Sequence, residues 1–250
     1  MRHDMTSLGV GTPATMAASH QQDLAALKAA DLAPWIDHTL LKAQATQHEI
    51  DQLVREAREH RFASVCVNPY WIPSVVKGLD GTSVRACTVI SFPLGASSLT
   101  AKRAEARAAL DQGATELDLV MNIGALKSAH LGQVVDECRA LVELCQGQQL
   151  IKLILETALL SPFEVQTACQ LAVQGGVHFV KTSTGFGPGG ATLAMIRLMR
   201  DTVGEHVGVK ASGGIRDTAS ALAMVQAGAT RLGTSASLGI IRGPIGESRT

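Results

Sequence analysis

H-F-V-K-T-S-T-G-F-G-P-G-G, residues 178–190, opens as a short apolar run, closes that run on Lys181 and then dissolves into hydroxyls and glycines. A lysine ending an apolar strand is costly, because burial disfavours its ammonium. The same circumstance makes an amine able to attack a carbonyl near neutral pH. The glycines behind it let backbone approach a ligand closely. One strand–helix unit later the design returns as V-G-V-K-A-S-G-G, residues 207–214, with Lys210 in the lysine position. Two ammoniums ending neighbouring strands disfavour each other's charge. A single such lysine could be a structural side chain reaching the rim of its strand. The repetition argues against that reading for both.

Working outward, residues 149–155 read as a strand carrying Lys152, and 115–121 (T-E-L-D-L-V-M) as another. The latter puts Glu116 and Asp118 on one face and Leu117 and Leu119 on the other. Carboxylates inside a strand need cationic or hydrogen-bonding partners. If the strands are sequential, Lys152 faces the same interior as Asp118 and compensates it. The first strand, 35–40 (W-I-D-H-T-L), places Asp37 and Thr39 on the face of Trp35, with Ile36, His38 and Leu40 opposite. Further strands are expected at 62–67, 83–90 and 230–233, and a rigid loop at 91–95. Amphipathic or well-capped helices are expected at 46–60, 72–79, 100–112, 133–145, 161–174, 191–203 and 217–227. Ser161-Pro162-Phe163-Glu164 is a clear start signal.

That is about eight strand–helix units, the count of a TIM (β/α)8 barrel in a single domain, 21–245, with a short leading helix near 23–30 placed to plug the N-terminal mouth. The functional face would be the C-terminal strand ends, where Asp118, Lys181 and Lys210 are placed. Gly213, Gly214, Gly233 and Ser235 fall after the seventh and eighth strands, where such barrels bind phosphate. A doubly wound open sheet is the alternative, but no G-x-G-x-x-G follows the first strand.

Lys plus Arg and Asp plus Glu both number 22, which argues against bulk binding of nucleic acid or acidic membranes. No apolar run reaches the ~18–20 residues of a membrane span. Cys66, Cys87, Cys138, Cys145 and Cys169 are odd in number, scattered and without a C-x-x-C, which reads as reduced thiols in a cytoplasmic protein, not as a disulfide framework or zinc site. Cys66 reads as a core thiol and not as a nucleophile. Residues 1–20, polar and without a hydrophobic signal core, are expected to be a disordered extension.

The segments I-D-H-T-L-L (36–41), C-V-N-P (66–69), I-S-F-P-L-G (90–95), E-L-D-L-V-M-N-I-G-A-L-K (116–127), L-E-T (155–157), V-K-T-S-T-G-F (180–186), V-K-A-S-G-G-I-R (209–216) and R-L-G-T-S (231–235) together resemble the deoxyribose-phosphate aldolases. The resemblance runs from Asp37 to about Ser237. It implies a TIM-barrel class I aldolase that reversibly cleaves 2-deoxy-D-ribose 5-phosphate to D-glyceraldehyde 3-phosphate and acetaldehyde, in deoxyribonucleoside catabolism, with no metal and no cofactor. It further implies Lys181 as the Schiff-base lysine, Lys210 as its electrostatic neighbour and Asp118 as proton donor and acceptor. Asp37, Thr39 and Lys152 would belong to the same polar network. Gly213, Gly214, Gly233 and Ser235 would hold the phosphate, and Thr184 and Gly185 would line the sugar pocket. The expected partner is the small sugar phosphate, with a homodimer or larger homo-oligomer as the assembly.

Two departures from the family pattern stand out. Some members close a C-terminal tyrosine over the site, whereas this sequence ends G-E-S-R-T and has Tyr70 as its single tyrosine, so either another group or water would move that proton or turnover would be slower. Ser91 stands where glycine is usual, a change expected to be tolerated. Competing readings are another Schiff-base aldolase or transaldolase-like barrel, and a non-catalytic sugar-phosphate-binding homologue. The second predicts loss of a central residue, and Asp118, Lys181 and Lys210 are all present.

Overall fold

The computed structural model describes residues 26–243. The extension 1–20 and the first part of the leading helix lie outside the described residues. Eight parallel strands close on one another in chain order: β1 (Ile36–Leu40), β2 (Ser64–Val67), β3 (Arg85–Ile90), β4 (Glu116–Val120), β5 (Leu150–Ile154), β6 (Phe179–Lys181), β7 (Gly208–Ser212) and β8 (Arg231–Thr234). Between and after them run α1 (Gln47–His60), α2 (Ile72–Leu79), α3 (Leu99–Asp111), α4 (Ile123–Lys127), α5 (Leu131–Leu144), α6 (Pro162–Gln174), α7 (Leu193–Val203), α8 (Thr218–Gln226) and α9 (Ser237–Arg242). The pairing of β1 with β8, Asp37 opposite Gly233 and His38 opposite Thr234, closes the cylinder and excludes the open sheet. The fold is a TIM barrel.

Helix starts follow the signals in the sequence. Thr46, Ser98, Ser161, Thr192 and Asp217 each accept a first-turn N–H at the start of α1, α3, α6, α7 and α8. Such a cap is worth ~1 kcal/mol. At α1 and α6 the carboxylates of Glu49 and Glu164 return to the cap amide at 2.8 and 2.7 Å, completing the reciprocal pair.

The hydrophobic core lies between sheet and helices. Leu117, Leu119, Ile151, Leu153, Val180 and Val209 are fully buried there, each contributing roughly 1.5–3 kcal/mol. The alternate strand positions point the other way and carry Asp37, Glu116, Asp118, Lys152, Lys181 and Lys210, all buried. Contacts such as Asp37 on β1 to Lys152 on β5 can only be made across the barrel interior. The cylinder is therefore filled by charge.

Two local expectations change. Residues 26–28 carry no helix; a 3-10 segment, Ala29–Trp35, follows, started by the Lys28 amide donating to Asp31 and containing Pro34, which disfavours a regular α-helix. It packs against α8 and α9. The helix α4 was not anticipated; it is one turn long and starts where Asn122 Oδ1 accepts from the Ala125 amide at 3.0 Å. Ser91 has φ 54°, the left-handed region that explains the usual glycine. Its amide donates to Glu105 at 2.7 Å, and this contact helps hold the conformation.

Candidate active site

Lys181 is the last residue of β6, as expected from the sequence, and is almost fully buried. Asp118 and Lys210 are not at strand ends. Each is the third of five residues in its strand, because β4 and β7 continue to Val120 and Ser212. The barrel stagger still brings them to one point, since Lys181 lies in register with Lys210, and Asp118 with Lys152.

Asp118 is the centre. Its Oδ2 accepts from Lys181 Nζ at 2.8 Å and from Lys210 Nζ at 2.7 Å. Its Oδ1 accepts from Lys152 Nζ at 2.8 Å and from the Cys87 thiol at 3.3 Å. Below it, Lys152 meets Glu116 at 2.6 Å and Asp37 at 3.7 Å. Asp37 pairs with Lys210 and, at 2.6 Å, with Arg231. Arg231 also reaches Glu116 at 3.3 Å and lies over the Phe179 ring. Burial alone would raise the carboxyl pKa of Asp118, but Lys152, Lys181 and Lys210 hold it well below the usual range. Asp37 is lowered against the same burial effect by Lys210, Lys152 and Arg231. Burial would likewise discharge Lys152 and Lys210, yet the carboxylates around them, Asp118 foremost, raise both. Asp37, Glu116 and Asp118 are thus matched by Arg231, Lys152 and Lys210, with Lys181 as a further partner of Asp118.

Arg231, Glu116 and Cys87 belong to this network but were not nominated from the sequence. Glu116 was legible as a carboxylate in need of a cation. Arg231 has the signal of a charged residue two places before Gly233 on the same strand face. Thr39 joins less directly than expected: its hydroxyl donates to the Asp37 carbonyl at 2.8 Å. Cys66, Cys87 and Asp118 bring ligand-type atoms within 4.8 Å of one another. Three ammoniums already occupy the Asp118 oxygens, so a metal ion there would meet cations in place of open donors. All five cysteines are free and buried.

The glycine-rich loops converge beside Lys181. Gly213 and Gly214 have φ of 84° and 83°. Gly190 packs directly on the Gly213 carbonyl, leaving no room for a side chain on Gly190. The Ala191 amide donates to the carbonyls of Ser212 and Gly213, joining the loop after β6 to the loop after β7. Gly233 has a different part: a Cβ there would lie 2.9 Å from Lys210 Cε, so the glycine makes space for the lysine. Gly185, Gly214 and Ser235 are exposed, while Thr184 is buried.

A family model of DeoC/LacD aldolases matches residues 32–243, every strand and every charge just described. The chain belongs to the DeoC/LacD aldolase family. Deoxyribose-phosphate aldolase of Streptococcus pneumoniae (serotype 19F, strain G54) is 54 % identical over 213 residues, 85 % of this chain and 96 % of that protein. Among solved structures, the deoxyribose phosphate aldolase of Aeropyrum pernix, described as a tetramer, is 34 % identical with a TM-score of 0.82, covering 89 % of this chain and 94 % of its own. The aldolase QR15 is 38 % identical with a TM-score of 0.81, covering 85 % of this chain and 95 % of its own. Within the matched residues the Lys181 amine and the Asp118 carboxylate stand 2.8 Å apart.

Proposed function

We propose that the chain is a class I deoxyribose-phosphate aldolase in which Lys181 forms the Schiff base and Asp118 moves the proton. The observation that carries the reading is the joint hold of Lys181 and Lys210 on Asp118 Oδ2. Lys181 Nζ adds to C1 of 2-deoxy-D-ribose 5-phosphate, and loss of water leaves an iminium. Asp118, directly or through one water, takes the proton of the C3 hydroxyl. The C2–C3 bond then breaks, its electron pair enters the iminium as an enamine, and D-glyceraldehyde 3-phosphate leaves. Protonation at C2 and hydrolysis release acetaldehyde and free Lys181. Lys210 stays charged and Lys152 keeps Asp118 ionised. Asp37 fixes Lys210, and Thr39 supports it through the Asp37 carbonyl. The exposed backbone of Gly214 and the Ser235 hydroxyl suit the phosphate, Gly213 and Gly233 giving the loops their shape, with Thr184 and Gly185 on the sugar side.

Five buried free thiols support a cytoplasmic location, and among the described residues no helix is long and apolar enough to cross a membrane. The Aeropyrum pernix relative is described as a tetramer, which supports a homo-oligomer here. Comparing wild type with Asp118→Asn on deoxyribose 5-phosphate tests the reading. The variant should still form the imine and lose ~10²–10⁴-fold in cleavage, the span of general acid–base catalysis. Cleavage above about a tenth of the wild-type rate, short of that span, would make Asp118 structural.

A further inference from the structure

Glu156 lies just beyond β5 in a left-handed backbone conformation, φ 55° and ψ 60°. For a residue with a side chain this conformation is strained, and such strain persists where the surroundings enforce it. The rungs on either side fix its place. The Leu155 amide donates to the Lys181 carbonyl and the Thr157 amide to the Thr182 carbonyl, both at 2.9 Å. Between them the Glu156 side chain turns into the loop that follows Lys181 and is almost fully buried there. Its Oε2 accepts the Thr184 backbone N–H at 3.2 Å and also the Thr184 hydroxyl. Thr184 Oγ1 in turn accepts the Phe186 amide at 3.0 Å. Gly187 rests on the same carboxylate: a Cβ at that position would stand 2.8–3.0 Å from its carbon and oxygens. The other oxygen, Oε1, is buried without a donor.

We propose that Glu156 is a positioning residue, which fixes Thr184 and the 184–187 turn beside Lys181 so that the hydroxyl-bearing end of the sugar phosphate is received in reacting geometry. The inference rests on the Schiff-base reading of Lys181 and assigns the part of the site that meets the larger fragment of the substrate. Acetaldehyde alone does not extend to that turn, so imine formation with it should be indifferent to Glu156. One oxygen makes every bond to the loop, and an amide oxygen can accept the same two donors. Glutamine should therefore serve in place of glutamate.

The test compares Glu156→Ala and Glu156→Gln. Cleavage of deoxyribose 5-phosphate and borohydride trapping of Lys181 with acetaldehyde are measured on each. Alanine should lower kcat/KM by about 10–100-fold, as expected when a positioning contact is lost and a substrate is misplaced by about an ångström. It should be trapped by acetaldehyde within about twofold of wild type, whereas uniform folding damage would lower both readouts together. Glu156→Gln should cleave within about threefold of wild type, a loss small beside that of alanine. Equal loss of trapping and cleavage, unaltered cleavage by alanine, or a glutamine variant as poor as alanine would each overturn the proposal. Failure of the wild type to be trapped at Lys181 would instead remove the Schiff-base reading, so the two failures are distinguishable.

Discussion

Lys181 and Lys210 donate to one and the same oxygen of Asp118, Oδ2, at 2.8 and 2.7 Å. Both lysines are buried, and Asp37 also holds Lys210. The pairing separates their parts: Lys210 is tied into the carboxylates on two sides, whereas Lys181 has one carboxylate contact and stands at the end of its strand.

Removing Lys210 should leave Asp118 Oδ2 to Lys181 alone and tie that amine into a private ion pair. Lys210→Met is expected to lose on the order of 10²-fold in cleavage at neutral pH, because an amine held on the carboxylate is withheld from the carbonyl. The check is steady-state cleavage beside the rate of borohydride trapping. Both should fall together, and a near-normal trapping rate would show that Lys210 acts after imine formation.

Lys152 supports three carboxylates at once, Asp118 at 2.8 Å, Glu116 at 2.6 Å and Asp37 at 3.7 Å, with no solvent exposure. Breaking a buried ion pair by deleting one partner destabilises by about 3–5 kcal/mol. Lys152→Met should reach that loss in urea unfolding, and adding Glu116→Gln should recover part of it by removing an uncompensated charge. A Lys152→Met protein of wild-type stability would contradict the charge network described here.

The sequence made the alternation of strands and helices legible because hydrophobic period and caps are local properties. Thr46, Ser161 and Asp217 mark their helices within one turn. Lys181 was legible for the same reason, as a charge closing an apolar run. The depth of Asp118 and Lys210 was not, since strand stagger in a closed barrel depends on all eight neighbours. Arg231 was missed because its partners, Asp37 and Glu116, lie 194 and 115 residues away. Gly233 was read as a phosphate glycine, and the structure shows a packing reason for it in Lys210. Strand alternation fixes the face of Thr39 but not the partner of its hydroxyl, and its place in the network rested on the resemblance.

The pH dependence of stability follows from signs alone. Asp37 and Asp118 are held below the usual carboxylate range, so their contribution is present above about pH 3.9 and is lost as pH falls through the folded values. Lys152 and Lys210 are raised, so theirs is present below about pH 10.4 and is lost as pH rises through the folded values. Burial lowers the imidazoles of His38 and His178, even though Glu56 favours charge on His38. Below about pH 6.5 the unfolded chain therefore takes up protons that the folded chain refuses. Urea midpoints should be level between pH 7 and 8 and lower at pH 5, with a smaller drop in His38→Asn. A midpoint that rises from pH 7 to pH 5 would contradict the assignment.

Peptide mass mapping after borohydride reduction with deoxyribose 5-phosphate tests most directly whether Lys181 carries the covalent intermediate. The wild type should gain the reduced adduct on the peptide containing Lys181, and Lys181→Arg, which keeps the charge but cannot form the imine, should gain none. An adduct on Lys210 or Lys152, or a labelled Lys181→Arg protein, would contradict the account.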